Sequence, residues 1–122
     1  MNTKVLIVDD EPNILLSLDF LMKKNGYKVF LARNGAEAIE SATTNLPNVI
    51  ILDIMMPDVD GYQICKTLKS DPKLQHTKIM FLSAKSKESD IAKGLELGAD
   101  AYMTKPFGNK ELLEKVKELA HL

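Results

Sequence analysis

The sequence of 122 residues has little or none of several features that mark out particular classes of protein. Its single cysteine, Cys65, can form no internal disulfide, and its apolar neighbours on a predicted helix favour a small core residue over a reactive thiol. No apolar run approaches the roughly 20 residues that a membrane span requires. The residues after Met1 are not typical of a secretory signal. We therefore expect a cytoplasmic protein that does not bind membranes.

The sequence also lacks a strong charge of either sign. Its 16 basic and 17 acidic residues give a net charge of -1 and are interspersed along the chain. The chain as a whole therefore offers no electrostatic footprint for nucleic acid, and we expect no direct nucleic-acid binding. Internal repeats, low-complexity tracts and linkers are absent as well. The length fits one compact domain, which we place over residues 1–122.

What the sequence does contain is an alternation of short apolar runs with longer amphipathic stretches. Several of the runs are continuously apolar and rich in β-branched residues, which is typical of strands buried on both faces of a parallel sheet. We predict strands over residues 5–8, 28–32, 49–52, 79–82 and 101–104.

A stretch with helical periodicity follows each predicted strand. Gly26 is expected to end the first helix, and Asn34 to cap the second with Glu37 reaching back to it. Strict alternation of strands and helices predicts an α/β fold in which helices cover both faces of a parallel sheet. We place the last three helices over about residues 60–70, over about 89–97, and from about 109 onwards.

Chemically active side chains follow four of the five predicted strands. Asp9 and Asp10 come after the first strand, Asp53 after the third, Ser83 after the fourth and Lys105 after the fifth. The carboxyl ends of parallel strands meet at one edge of the sheet, where ligands of such folds bind. We therefore expect these five side chains to lie close together.

The acidic members of this set need a partner. Two carboxylates about 4 Å apart repel by roughly 4 kcal/mol at an effective dielectric constant near 20. They must therefore bind a cation, hold a proton or stay hydrated, and Mg²⁺ is the best match to oxygen ligands that also share a phosphate. Taken singly, Asp9 or Asp10 is more simply explained as a turn former or helix cap. Acids, a hydroxyl and a lysine together supply what phosphoryl transfer needs.

Four segments resemble the motifs of the receiver domains of two-component response regulators. The resemblance covers essentially the whole chain and implies a flavodoxin-like fold of the (βα)5 type. This fold is a three-layer sandwich whose parallel sheet has the strand order 2-1-3-4-5. The matching segments are residues 8–12, residues 52–57 with Asp60-Gly61, residues 82–84 and residues 98–107.

The resemblance implies a role for each acidic residue of the set. Asp53 is the expected phosphoacceptor. Asp10 and Asp53 would hold Mg²⁺, for which Mn²⁺ is an alternative, and Asp9 would assist through a bridging water. The backbone carbonyl of Met55 would complete the protein ligands of the metal.

The resemblance also implies the residues that respond to the phosphoryl group. Lys105 would pair with one phosphoryl oxygen, and a cis bond to Pro106 would direct it into the site. Ser83 would hydrogen-bond to another oxygen. Tyr102 would rotate inward when Ser83 moves, although a half-buried strand aromatic is the simpler explanation from the residue alone.

The implied function is a phosphorylation-activated signalling switch. A sensor histidine kinase or a histidine phosphotransfer protein would donate the phosphoryl group to Asp53. Residues 89–122 would relay the change to a downstream effector or output domain, and a phosphorylation-dependent homodimer stays open. The chain would not be an enzyme beyond its own phosphoryl acceptance and autodephosphorylation. We expect that hydrolysis to be slow because Met55 and Lys85 are poorly suited to orienting water.

Three alternatives are weaker. A haloacid-dehalogenase-like phosphohydrolase carries a second aspartate two residues after its nucleophile, where this chain has Met55, and needs more length for a substrate cap. A flavodoxin-like nucleotide or flavin domain needs glycines in the first strand-to-helix turn, which here is acidic. A receiver-like interaction module that is not phosphorylated would not need the full set of site residues.

Overall fold

Parallel strands form the centre of the protein. The structure is a computed structural model that describes residues 3–121. Within those residues, five strands pair in the order β2-β1-β3-β4-β5, and every pairing is parallel. The predicted strand order is therefore confirmed. The strands are β1 Lys4–Val8, β2 Lys28–Ala32, β3 Val49–Leu52, β4 Lys78–Ser83 and β5 Ala101–Thr104.

Helices alternate with these strands, as the periodicity predicts. None of the helices within residues 3–121 is long and apolar enough to cross a membrane. A short 3-10 helix, Pro72–Leu74, precedes β4 and was not predicted, because three residues are too few to show a period. The α-helices are α1 Pro12–Lys24, α2 Gly35–Asn45, α3 Gly61–Lys69, α4 Glu88–Glu96 and α5 Asn109–Ala120.

The core lies in two layers, one on each face of the sheet. Alternate residues of each strand face opposite layers, so that Leu6 packs with α2 and α3 while Ile7 packs with α1 and α5. The central strands β1, β3 and β4 are almost entirely buried because helices cover them on both sides. The edge strands are more open, and Leu31 of β2 is 40% exposed.

The predicted helix ends are observed, with one difference at α2. The Asn34 side chain accepts a hydrogen bond from the Glu37 N–H at 2.9 Å, as expected of an N-cap. The Glu37 carboxylate, however, accepts from the N–H of Arg33 rather than of Asn34, because the guanidinium of Arg33 draws it one residue further back. Gly26 has φ +89° just after α1, a conformation that favours glycine.

Candidate functional site

Three carboxylates meet beyond the carboxyl ends of β1 and β3. These strands are neighbours in register, with Val8 opposite Leu52, so the acids that follow them emerge side by side. Asp9, Asp10 and Asp53 each present an oxygen, and the three oxygens lie within 4.8 Å of one another. Asp9 and Asp53 are buried and Asp10 is exposed. The predicted acidic cluster is therefore present.

Lys105 brings a positive charge to this cluster from the end of β5. Its Nζ lies 3.0 Å from Oδ2 of Asp9 and 3.8 Å from Oδ2 of Asp53. Glu11, to which we assigned no role from the sequence, is a further carboxylate 3.9 Å from the same Nζ. The Lys105 N–H donates to the carbonyl of Ser83, and the Lys105–Pro106 peptide bond is cis, as the resemblance implies.

The two oxygens of Asp53 have different surroundings. Oδ1 accepts hydrogen bonds from the N–H groups of Ile54 at 2.8 Å and Met55 at 3.4 Å, whereas Oδ2 is the oxygen that faces Lys105. Burial raises the pKa of Asp53; Lys105 opposes this shift, Asp9 adds to it, and the net direction is upward. Oδ2 is thus the oxygen that the backbone N–H groups of this turn leave available.

Lys105 stays charged in spite of its burial. Removal from water by itself lowers its pKa, but the hydrogen bond to Asp9 and the charges of Asp53, Asp9 and Glu11 outweigh that effect and raise the pKa. Three carboxylates lie within 4.0 Å of the Lys105 Nζ, and that of Asp10 is a fourth in the cluster. The site therefore has an excess of negative charge that a cation would balance.

The hydroxyl groups of Ser83 and Tyr102 bond to the loop between β4 and α4. Ser83 is fully buried, and its Oγ accepts from the Lys85 N–H at 3.2 Å. The Tyr102 hydroxyl donates to the Lys85 carbonyl at 2.6 Å. Burial is the largest of the effects that raise the pKa of Tyr102 to about 12, so the hydroxyl keeps its proton. Both side chains therefore hold the backbone of Lys85.

A hollow of about 240 Å³ lies beside the carboxylate cluster. Asp10, Asp53 and Lys105 line it, together with Glu11, Met55 and Ala84. Our expectation that Ser83 also lines this space is not met, since Ser83 points to the Lys85 N–H and its neighbour Ala84 takes that place. The pocket is small, and its charged side chains alternate with the apolar surfaces of Met55 and Ala84.

The donor set fits a hard divalent cation. Carboxylate oxygens from two strand ends converge, and Asp10 is exposed enough to leave room for water ligands. Mg²⁺ prefers one or two carboxylates and retains several waters, which is the arrangement that these residues offer. Asp9 is also a turn former, the simpler role that an acid after a strand can have, because its Oδ1 accepts a hydrogen bond from the Glu11 N–H at 2.9 Å.

Two residues in the segment that follows Asp53 make contacts that we did not predict. The carboxylate of Asp58 accepts hydrogen bonds from the first turn of α2, 23 residues away in sequence. Gly61 begins α3 directly against the backbone of Asp53, where a Cβ would overlap the Asp53 carbonyl oxygen. The Asp60-Gly61 motif could have indicated from the sequence that this glycine matters. The contact of Asp58 joins residues that are far apart in the chain, so no local sequence pattern indicates it.

The comparison with protein families agrees with this geometry. The model of the response regulator receiver domain matches residues 5–117. The chain belongs to this family. As a receiver domain of two-component systems it is a signalling module, and its acidic pocket is of the kind that binds Mg²⁺. The hydrolase and flavin-domain alternatives therefore fall away.

Known receiver proteins resemble the chain over nearly its full length. It is 45% identical over 119 residues to the alkaline phosphatase synthesis transcriptional regulatory protein PhoP of Bacillus subtilis (strain 168), covering 98% of this chain and 49% of that protein. The chain thus spans about half the length of this relative. A response regulator from Chloroflexus aurantiacus J-10-fl superposes with a TM-score of 0.94 at 34% identity, covering 100% of both chains. The BeF3-activated DrrB receiver domain gives 0.91 at 32%, also covering 100% of both.

Proposed function

We propose that this receiver domain accepts a phosphoryl group on Asp53 in a Mg²⁺-dependent reaction. The donor would be a sensor histidine kinase or a histidine phosphotransfer protein. The observation that carries the proposal is the convergence of Asp10, Asp53 and Lys105 around one hollow. Asp9 and Asp10 would hold the ion together with Asp53 and the Met55 carbonyl, with Mn²⁺ as an alternative ion.

The geometry suggests how the transfer proceeds. Oδ2 of Asp53 attacks phosphorus, a P–O bond forms, and the P–N bond to the donor histidine breaks with its electron pair returning to the imidazole nitrogen. Lys105, within 3.8 Å of that oxygen, stabilises the charge that develops on the phosphoryl oxygens. Mg²⁺ would supply additional positive charge at the same oxygens. Oδ1 keeps its backbone hydrogen bonds and holds the carboxylate in position.

Phosphorylation would act on the loop after β4. The product carries a charge of about -1.5 to -2 and three strong acceptors. Ser83 would turn toward them and give up the Lys85 N–H, which disturbs the loop that the Tyr102 hydroxyl also holds. The result is a shift in the populations of two arrangements of the face made by α4, β5 and α5. That face would signal to an effector or output domain.

Exposed apolar residues on α1 support a docking site for the phosphodonor. Leu16 is 65% and Phe20 is 69% exposed, one helical turn apart on the helix that follows the Asp9-Asp10 turn. A cytoplasmic location and a homodimer formed on phosphorylation are also part of the proposal. The charges of Lys115 and Asp100 could contact a second chain in such a dimer. Within one chain they already form ion pairs, Lys115 with Glu118 and Asp100 with Lys69.

Labelling by acetyl phosphate tests this function. We expect wild type with Mg²⁺ to gain the mass of one phosphoryl group, and no gain in Asp53→Ala or after chelation of the metal. Lys105→Met should slow labelling about 10²-fold, because it removes a fixed charge from the transition state. Lys69→Met is the matched control, since Lys69 forms a similarly half-buried ion pair with Asp100 away from the site. Labelling of Asp53→Ala at the wild-type rate would end the proposal.

The expected lifetime of the phosphoryl group depends on Met55 and Lys85, which are poorly suited to orienting an attacking water. Met55 is 58% exposed at the hollow, and its thioether is only a weak acceptor that orients an attacking water poorly. We expect autodephosphorylation over minutes or longer, and faster loss when Met55→Asn places an amide there. The decay of labelled protein after removal of acetyl phosphate measures both rates. Decay of wild type within seconds would contradict this expectation.

A further inference from the structure

The carboxylate of Asp58 ties the loop that follows Asp53 to a distant helix. Its Oδ1 lies 2.9 Å and its Oδ2 3.0 Å from the N–H of Gly35, and Oδ2 also accepts from Ala36 at 3.3 Å. The first N–H groups of a helix have no partners within the helix, and the helix dipole favours a negative charge there. These hydrogen bonds, that of Gly35 foremost, lower the pKa of Asp58, so the exposed carboxylate stays ionised.

The neighbouring residue reinforces this contact. Val59 lies against Gly35 so closely that a Cβ at position 35 would overlap the Val59 side chain. Two consecutive loop residues therefore dock onto the start of α2, one by charge-assisted hydrogen bonds and one by packing. This fixes the middle of the loop, whose ends are already held where the Gly61 N–H donates to the Ile54 carbonyl at 2.8 Å.

The same loop borders the carboxylate cluster. A hollow of about 560 Å³ is lined by Asp10 from the first turn, by Met55 and Asp58 from the loop, and by Lys85. Ligands to a metal must be held within about 0.5 Å of their productive positions, and they are held so by surrounding contacts. A loop that is released from α2 would have to be ordered each time a cation binds.

We propose that Asp58 is a positioning residue for the cation site, because its hydrogen bonds to α2 hold the loop that carries Met55 beside Asp10 and Asp53. The inference rests on the proposed function, in which the Met55 carbonyl is a metal ligand. Asp58 itself touches neither the metal nor the phosphoryl group. Its effect is on the affinity for Mg²⁺ and, through it, on phosphorylation at limiting Mg²⁺.

Calorimetric titration with Mg²⁺ tests this role. We expect Asp58→Ala to weaken Mg²⁺ binding about tenfold, the lower end of what the loss of an outer contact costs a metal site. Labelling by acetyl phosphate should slow at limiting Mg²⁺ and return to the wild-type rate at saturating Mg²⁺. Asp71→Ala is the matched control: the Asp71 carboxylate likewise accepts from a backbone N–H, that of Lys73 at 3.0 Å, but beyond the other end of the sheet.

Two further variants separate position from charge. Asp58→Asn keeps an acceptor for the Gly35 N–H but removes the charge, so it should bind Mg²⁺ more tightly than Asp58→Ala. Asp58→Glu keeps the charge but lengthens the side chain by one methylene, so it should bind Mg²⁺ more weakly than wild type. If Asp58→Ala does not fold, Asp58→Glu replaces it in the comparison with wild type. Equal affinities of the asparagine and alanine variants would assign the effect to charge and overturn the inference.

The outcomes also distinguish this inference from the proposed function. Wild type that neither binds Mg²⁺ nor accepts a phosphoryl group defeats the function, and the role of Asp58 with it. Wild type that does both, with a folded Asp58→Ala or Asp58→Glu variant of unchanged Mg²⁺ affinity, defeats only the role of Asp58. Circular dichroism of every variant establishes that the folded proteins are being compared.

Discussion

At the scale of single residues, the central feature is a buried carboxylate whose charge the fold does not fully neutralise. Asp53 is 5% exposed and close to Asp9 and Asp10, with Lys105 as the nearest positive charge. Burial first and Asp9 second raise its pKa against the opposing effect of Lys105. A carboxylate in this state is costly to the free protein and well placed to gain from a cation or a phosphoryl group.

The stability of an Asp53→Asn variant tests this cost. Because the folded protein holds the proton of Asp53 more tightly than the unfolded chain does, the contribution of Asp53 to stability falls as pH rises through the folded pKa. We expect Asp53→Asn to be more stable than wild type at neutral pH by on the order of 1 to 4 kcal/mol, the range for like charges about 4 Å apart. Urea unfolding at neutral and acidic pH measures the difference, which should vanish once wild-type Asp53 is protonated.

A matched variant controls for the loss of an acid. Asp71→Asn removes a carboxylate that caps the short helix before β4 and that, within residues 3–121, belongs to no acidic cluster. It should show no gain in stability at neutral pH. An Asp53→Asn variant that is less stable than wild type at neutral pH would mean that Lys105 already compensates the charge of Asp53.

At the scale of elements, α4 is held on the sheet by a small number of specific contacts. The Tyr62 hydroxyl donates to the Asp90 carbonyl at 3.0 Å, and the Tyr102 hydroxyl holds the loop before the helix. Gly94 lets the helix lie directly on the rings of Phe81 and Tyr102. An element anchored in this way can shift as a unit when one anchor changes.

Gly94→Ala tests how closely α4 is seated. A Cβ at this position would lie 2.9 Å from Cδ2 of Phe81 and 3.1 Å from Cδ2 of Tyr102, so the helix must move outward. We expect a loss of about 1 to 3 kcal/mol in the free energy of unfolding, as for other insertions into packed sites. Amide exchange over residues 84–97 should also become faster. Glu96→Ala, on the exposed side of the same helix, should change neither the stability nor the amide exchange. A Gly94→Ala variant with wild-type stability and unchanged exchange would contradict the close packing of α4 on the two rings.

The elements themselves could be predicted because their signals are local. Continuous apolar runs rich in β-branched residues identify β1 and β3, and apolar residues at helical spacing identify α5. The contact of Asp58 with Gly35 could not be predicted, since it joins residues far apart in sequence. The hydrogen bond between the Ser83 hydroxyl and the Lys85 N–H was not predicted either, because no sequence pattern reveals this loop contact.

At the scale of the whole molecule, the site exists because the topology gathers distant parts of the chain at one edge. Asp9 after β1 and Lys105 after β5 are 96 positions apart in the sequence, yet the Lys105 Nζ lies 3.0 Å from Oδ2 of Asp9. Residue types at strand ends, together with the parallel order, were sufficient to predict this set. The family resemblance then supplied the roles, which only chemistry on the protein can test.

Mapping the phosphorylated residue is the most direct test of the central claim that Asp53 is the phosphoacceptor. Protein labelled by acetyl phosphate and Mg²⁺ is reduced with borohydride, which converts an aspartyl phosphate to homoserine, and its peptides are analysed by mass spectrometry. We predict homoserine at position 53 in samples with Mg²⁺ and none in chelated samples. Homoserine at Asp9 or Asp10, or an unmodified Asp53 in fully labelled protein, would contradict the account.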